Sequence, residues 1–277
     1  VRRFLCSRNV WVFCLAGFAF ATLNYFQAAS ATFRPKQLFL EEMTWPEVHA
    51  ALEAGYRTVI IPTGGTEQNG PHAVLGKHNF VVAHTSAQIA ERLGGTLIAP
   101  VIAYVPEGDF GASPTGHMQW PGTISLPGPI FEQLLEATIR SFALHGFDEI
   151  LLIGDSGGNQ AAQSRVAAAM NLEFAPSGIA VQHISDYYDN NGQIAYLESL
   201  GFDKEQIGTH AGLRDTSELF FVKPDEANRI PLPIPSGWNS GFNGRPDLAT
   251  SEIGEALILL KIEVALTQIH RLRDAGQ

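Results

Sequence analysis

The chain has 277 residues, 45% of them hydrophobic, and a formal charge of −10. Such a surface repels phosphate backbones and excludes nucleic acid as the natural partner, while a neutral or cationic small substrate is allowed. Both cysteines, Cys6 and Cys14, lie near the start, so any later transition-metal site must use His, Asp, Glu or water.

The first residues read as a leader. Arg2, Arg3 and Arg8 form a basic region, an apolar stretch runs from Val10 to Leu23, and Ala29-x-Ala31 fits a secretory cleavage site. The apolar run is shorter than the ~20 residues of a comfortable membrane span. The expectation is therefore a signal peptide over residues 1–31, the alternative being an uncleaved anchor. Cleavage leaves residues 32–277, enough for one large domain. An export signal without disulfides points to a periplasmic or secreted protein with no membrane attachment after cleavage.

Aliphatic runs bounded by Gly, Pro or Asp then alternate with helical patterns. Strands are expected at 58–62, 96–102, 149–153 and 179–184. Helices are expected at 46–54 with Thr44 as N-cap, at 80–93, at 130–144 with Ile130, Leu134, Ile139 and Phe142 near one face, at 159–174, and at 251–274 capped by Ser251. This alternation implies a mostly parallel sheet covered by helices on both faces. Residues 223–247 are rich in Pro, Gly and Asn. Their Trp238 and Phe242 could cover a site or a subunit contact, or the segment is a passive loop.

Ligands of open α/β sheets bind beyond the carboxyl ends of the strands. Three glycine-containing segments can reach that edge: 63–79, 154–159 and 209–217. Together they offer Glu67, His72, His78, Asp155, His210 and Asp215, a grouping that points to a metal or acid–base site.

Four stretches resemble the creatininase (creatinine amidohydrolase) family. Thr66-Glu67-Gln68-Asn69-Gly70-Pro71-His72 with Leu75-Gly76 is similar to its TEQHGPH…LGTD segment. Met118 to Leu126 is similar to FPGTISL, Gly154 to Asn159 to NGHGGN, and His210 to Ser217 to HAGxxETS. The resemblance implies a three-layer α/β/α sandwich, divalent-metal chemistry, hydrolysis of a small cyclic amide or formamide, and a homo-oligomer, often a hexamer.

The ligand positions depart from the family pattern. Glu67 is kept, but Asn69 stands for a His, His78 for the Asp of LGTD, Ser156 for the His of NGHGGN, and Asp215 for the Glu of ETS. Imidazole and carboxylate have been exchanged, not erased. A neutral imidazole offers one nitrogen to one metal and cannot bridge two ions as a carboxylate does. One ion on Glu67, His78 and Asp155 is thus expected, with His72 in reserve and an open water position. Zinc is the metal expected, with manganese or iron as alternatives. His210 and Asp215 are the catalytic candidates, His210 to carry a proton to the leaving nitrogen. Two rival readings stay open. Gly154-Asp-Ser-Gly-Gly158 fits G-x-S-x-G, which would make Ser156 a nucleophile served by His210 or His270. Alternatively, the fold serves as a non-catalytic small-molecule-binding protein.

Overall fold

The computed structural model describes residues 34–224, 232–234, 237 and 240–275. The leader expected over 1–31 and Trp238 lie outside them. Four parallel strands form the sheet: β1 (Thr58–Thr63), β2 (Thr96–Ile98), β3 (Glu149–Gly154) and β4 (Ala180–His183), in the order β2-β1-β3-β4. Thr58 faces Glu149, and Thr63 faces Gly154. The carboxyl ends of β1 and β3, where two of the glycine-containing segments begin, are therefore side by side.

Period-two alternation splits the strand residues between two cores. On one face Val59, Ile61, Ile150, Leu152 and Val181 pack with Phe131, Leu135 and Ile139 of α3 (Gly128–His145). Val166 and Met170 of α4 (Gln160–Phe174) and Ala51 of α1 (Trp45–Glu53) complete that layer. On the other, Ile60, Ile98, Leu151 and Ile153 meet Val81, Val82 and Ile89 of α2 (Lys77–Leu93) and Ile258, Ile262 and Ile269 of α9 (Ser251–Ala275). The result is the expected three-layer α/β/α sandwich. Among the described residues no helix is long and apolar enough to cross a membrane.

Several local expectations change. β2 stops at Ile98, because Pro100 lacks an N–H for the ladder, and the chain rejoins the sheet only as an isolated bridge of Ile102 with Thr63. The buried stripe of α3 is Phe131, Leu135 and Ile139, at i, i+4 and i+8, while Ile130 and Leu134 are exposed. α9 is capped by Thr250 and not by Ser251, since the Thr250 hydroxyl accepts the Ile253 amide at 3.2 Å. Thr44 does cap α1, its amide donating to Glu47 at 2.7 Å. Among the described residues four α-helices lie between β4 and α9: α5 (Asp186–Asp189), α6 (Gln193–Ser199), α7 (Lys204–Ile207) and α8 (Leu213–Val222). The last begins inside the third glycine-containing segment.

α8 and α9 cross closely at Gly254, where an added Cβ would lie 1.9 Å from the Ser217 carbonyl oxygen. Gly254→Ala is expected to cost about 1–3 kcal/mol through overpacking. Exposed Glu255→Ala, one residue on, should shift thermal denaturation hardly at all.

Candidate functional site

A cavity of about 460 Å³ opens at the carboxyl edge of the sheet, within the size range of small-molecule sites. Its walls come from the loop after β1 (Glu67), the start of α2 (His78), the excursion after β2 (Glu107, His117), the turn after β3 (Asp155, Ser156), the approach to α8 (His210) and its first turn (Arg214, Asp215). The excursion is pinned over the β1 loop by Ile124 N–H to Thr66 O at 2.9 Å and by Gln68 N–H to the Thr123 hydroxyl at 3.1 Å. Gly158 lets that excursion close, because a Cβ there would sit 2.4 Å from the Pro106 carbonyl oxygen.

The deep half of the cavity is a lattice of paired charges. His78 bridges two carboxylates, Nδ1 to Asp155 Oδ2 at 2.7 Å and Nε2 to Glu67 Oε1 at 2.9 Å. A neutral imidazole carries only one N–H, so this geometry belongs to the imidazolium. Burial and Lys77 push His78 down, but the two carboxylates outweigh them and its pKa is raised. Lys261, from the middle of α9, reaches Asp155 Oδ1 at 2.6 Å and Glu218 Oε1 at 3.0 Å. Tyr187 donates to Asp155 Oδ1 at 2.8 Å. Lys77 meets Asp215 Oδ2 at 2.8 Å. Burial would raise Glu67 and Asp155, yet the facing cations prevail: Glu67 lies well below the carboxylate range and Asp155 falls to about 2. Glu107 goes the other way, pushed up to about 10 by burial and by the hydrogen bond it shares with Glu67.

The mouth of the cavity is different. Glu67, His117 and His210 present ligand atoms that all lie within 4.8 Å of one another. His117 Nε2 is 3.2 Å from Glu67 Oε2, and His210 Nδ1 is 3.8 Å from Glu67 Oε1. The far nitrogens of both rings are held by Gln68. Its side-chain amide lies 3.0 Å from His117 Nδ1 and 3.0 Å from His210 Nε2, and its carbonyl accepts from His210 at 2.9 Å. Donation of the non-ligating ring N–H to an acceptor is what metal-binding histidines require; His210 meets it at the Gln68 carbonyl, while the Gln68 amide group can only donate to His117 Nδ1. Burial pushes His210 down to about 4 and lowers His117, so both keep a lone pair at neutral pH. A carboxylate and two imidazoles converging on one point fit a single divalent ion. His78 does not share that arrangement, both its nitrogens being taken by carboxylates.

The residues singled out in the sequence thus separate into groups. Glu67 and His210 converge at the mouth, with His210 on the ligand side of Glu67. His78 and Asp155 pair with each other in the deep lattice. His72 is a loop brace, its Nε2 on the Thr216 hydroxyl at 3.1 Å and its ring edge-on to Phe242 at 5.8 Å. Asp215 is occupied by Lys77, by Arg214 Nε at 3.2 Å and by the Ala211 amide at 2.8 Å. The last bond holds Ala211 at φ 49°, left-handed for a non-glycine residue, and so turns His210 into the cavity. Ser156 lacks a base: its hydroxyl reaches only Glu107, at 3.4 Å, and neither His210 nor His270 is its partner among the described residues. Its φ of −104° and ψ of 144° are ordinary extended backbone and not a strained elbow. His117 and Gln68 are the participants that the sequence did not single out.

Comparison with known proteins agrees with the fold and the segments. The family model described as creatinine amidohydrolase matches residues 41–267. The creatinine amidohydrolase of Pseudomonas putida is 26% identical over 198 residues, covering 69% of this chain and 74% of that protein. The mycofactocin precursor peptide peptidase of Mycolicibacterium smegmatis is 25% identical over 236 residues, covering 77% and 84%. A manganese creatininase and a mutant creatininase of Zn–Zn type each superpose with a TM-score of 0.66, at 24% and 23% identity, over 85% of this chain and 98% of theirs. The structural likeness speaks for the fold, and the family model, spanning most of the chain, speaks for descent: this protein belongs to the creatininase family, a family of hydrolases.

Proposed function

We infer that this chain hydrolyses a C–N bond of a small amide or formamide, using one divalent ion held by Glu67, His117 and His210. The carrying observation is the convergence of those three ligand atoms on the cavity wall, with the His210 ring donating its far N–H to the Gln68 carbonyl. Zinc suits two imidazoles and a carboxylate, and manganese or iron is the alternative. When bound, such an ion polarises a carbonyl and lowers the pKa of a water molecule. The chain itself supplies the rest. His78 fixes the orientation of Glu67 from behind. Glu107, sharing a hydrogen bond with Glu67, holds a proton on the wall facing the cavity. The turn at Ser156-Gly157-Gly158 lines the cavity without bulk.

A second reading has its own observation. The deep carboxylates are already matched by His78, Lys77 and Lys261, so the fold closes electrically without an ion and could serve as a binding protein. Metal analysis separates the two. After loading with zinc or manganese and desalting, close to one ion per chain is expected. His117→Ala and His210→Ala should each weaken retention by more than the ~10–100-fold typical of losing an outer-shell partner. A screen of small amides, formamides and lactones then follows. Retention of no ion favours the binding reading, and full retention in both variants defeats this ligand set.

A further inference from the structure

Arg214 stands in the first turn of α8 and lines the cavity with its side chain 22% exposed. Only its Nε is engaged, with Asp215 Oδ1 at 3.2 Å. Its two terminal nitrogens make no hydrogen bond among the described residues. Lys77 and the Ala211 amide both take the other Asp215 oxygen, each at 2.8 Å, so Asp215 anchors the guanidinium through Nε alone and leaves its outer edge facing the cavity. Tyr188 also lines the cavity, and its hydroxyl makes no hydrogen bond among the described residues. Tyr188 and Arg214 line the same cavity. Asn191 holds Tyr188 in place from behind, its amide donating to the Tyr188 carbonyl at 3.0 Å. Gly157, also on the cavity wall, packs against the Tyr188 hydroxyl, where a Cβ would come within 2.8 Å of the oxygen.

We propose that Arg214 and Tyr188 form a carboxylate-binding subsite, so that the substrate is a small amide carrying a carboxylate away from its scissile bond. This rests on the hydrolase reading of the same cavity. Two free, coplanar guanidinium nitrogens match the two oxygens of a carboxylate, and the phenol adds a third donor. The chain's overall charge of −10 would favour a cationic substrate at long range. Two unpartnered donors in one wall give the opposite preference at contact. A carboxylate is favoured over a phosphate because Asp215 and Glu218 also line this cavity and oppose a second negative charge.

The probes are N-acetylglycine, its neutral amide N-acetylglycinamide, and inorganic phosphate. Binding is measured by calorimetry on zinc-loaded and on chelator-treated protein. The acid is expected to bind at least about tenfold tighter than the amide in both preparations, the worth of hydrogen bonds to a charged group. Arg214→Gln should erase that preference. Tyr188→Phe, which removes one oxygen and no charge, should weaken the acid about threefold or more; it decides the matter if Arg214→Gln does not fold. Equal binding of acid and amide, a preference that survives Arg214→Gln, an unaltered Tyr188→Phe, or tighter binding of phosphate would each overturn the subsite. An acid preference seen only with zinc would place the carboxylate on the ion and equally overturn it. If the protein retains no metal yet the preference persists in chelator-treated protein, the hydrolase reading fails and the subsite stands.

Discussion

Lys261→Met is expected to destabilise the protein by about 3–5 kcal/mol at neutral pH, the cost of removing one partner from a buried ion pair. For a chain of this size that lowers the melting temperature by roughly 6–20 °C. Methionine nearly matches the lysine stem in volume, so the loss isolates the charge. Asp155 would keep His78 and Tyr187 but lose its 2.6 Å partner, and Glu218 would keep the Gln193 amide, at 2.6 Å, as its hydrogen-bond donor among the described residues. The effect has a pH signature. Burial would raise Asp155, but Lys261 and His78 hold it at about 2 against an ordinary 3.8. A depressed carboxylate contributes stability that is complete above its ordinary value and is lost as pH falls through the folded one. In the variant Asp155 rises, so acid unfolding should begin at a higher pH. Melting curves from pH 2 to 8 check both parts. A variant as stable as the parent throughout would mean that the deep lattice contributes no net stability.

The sheet was legible because its strands are short aliphatic runs bounded by Gly, Pro or Asp, and that pattern depends on nothing distant. The helices between β4 and α9 were not, since α5 and α7 have four residues each and show no 3.6-residue period. The site was half legible. Glu67 and His210 lie inside segments with recognisable spacing. His117 precedes the Met118–Leu126 segment by one residue, and Gln68 reads as a spacer beside Glu67 until the fold shows it holding two imidazoles. The cations were illegible for a physical reason. A lysine within a helix reads as solvated surface, and nothing local shows that Lys77 and Lys261 meet carboxylates 138 and 106 residues away. Without those partners, His78 and Asp155 look like available ligands.

Glu67→Gln should empty the site and reduce turnover about 10³-fold or more, the several kcal/mol that a Lewis-acidic ion supplies to a developing charge. The substitution keeps shape and removes the one carboxylate common to both sets of candidate ligands, so it tests the site as a whole. Two companions decide between the sets. If the ion sits at the mouth, His78→Gln should retain it, because His78 faces carboxylates through both nitrogens and His117 and His210 remain. If the ion sits on Glu67, His78 and Asp155, as the sequence alone suggests, His78→Gln should lose it while His117→Ala keeps it. Ser156→Ala should spare metal and most of the turnover, since among the described residues the only hydrogen bond of its hydroxyl is a 3.4 Å contact with Glu107. Elemental analysis of zinc-loaded, desalted variants reads the first quantity, and the rate on an amide found in the screen reads the second. Full zinc content in Glu67→Gln would remove the carboxylate from the site altogether. Zinc lost from His78→Gln but kept in His117→Ala would move the ion from the mouth into the deep lattice.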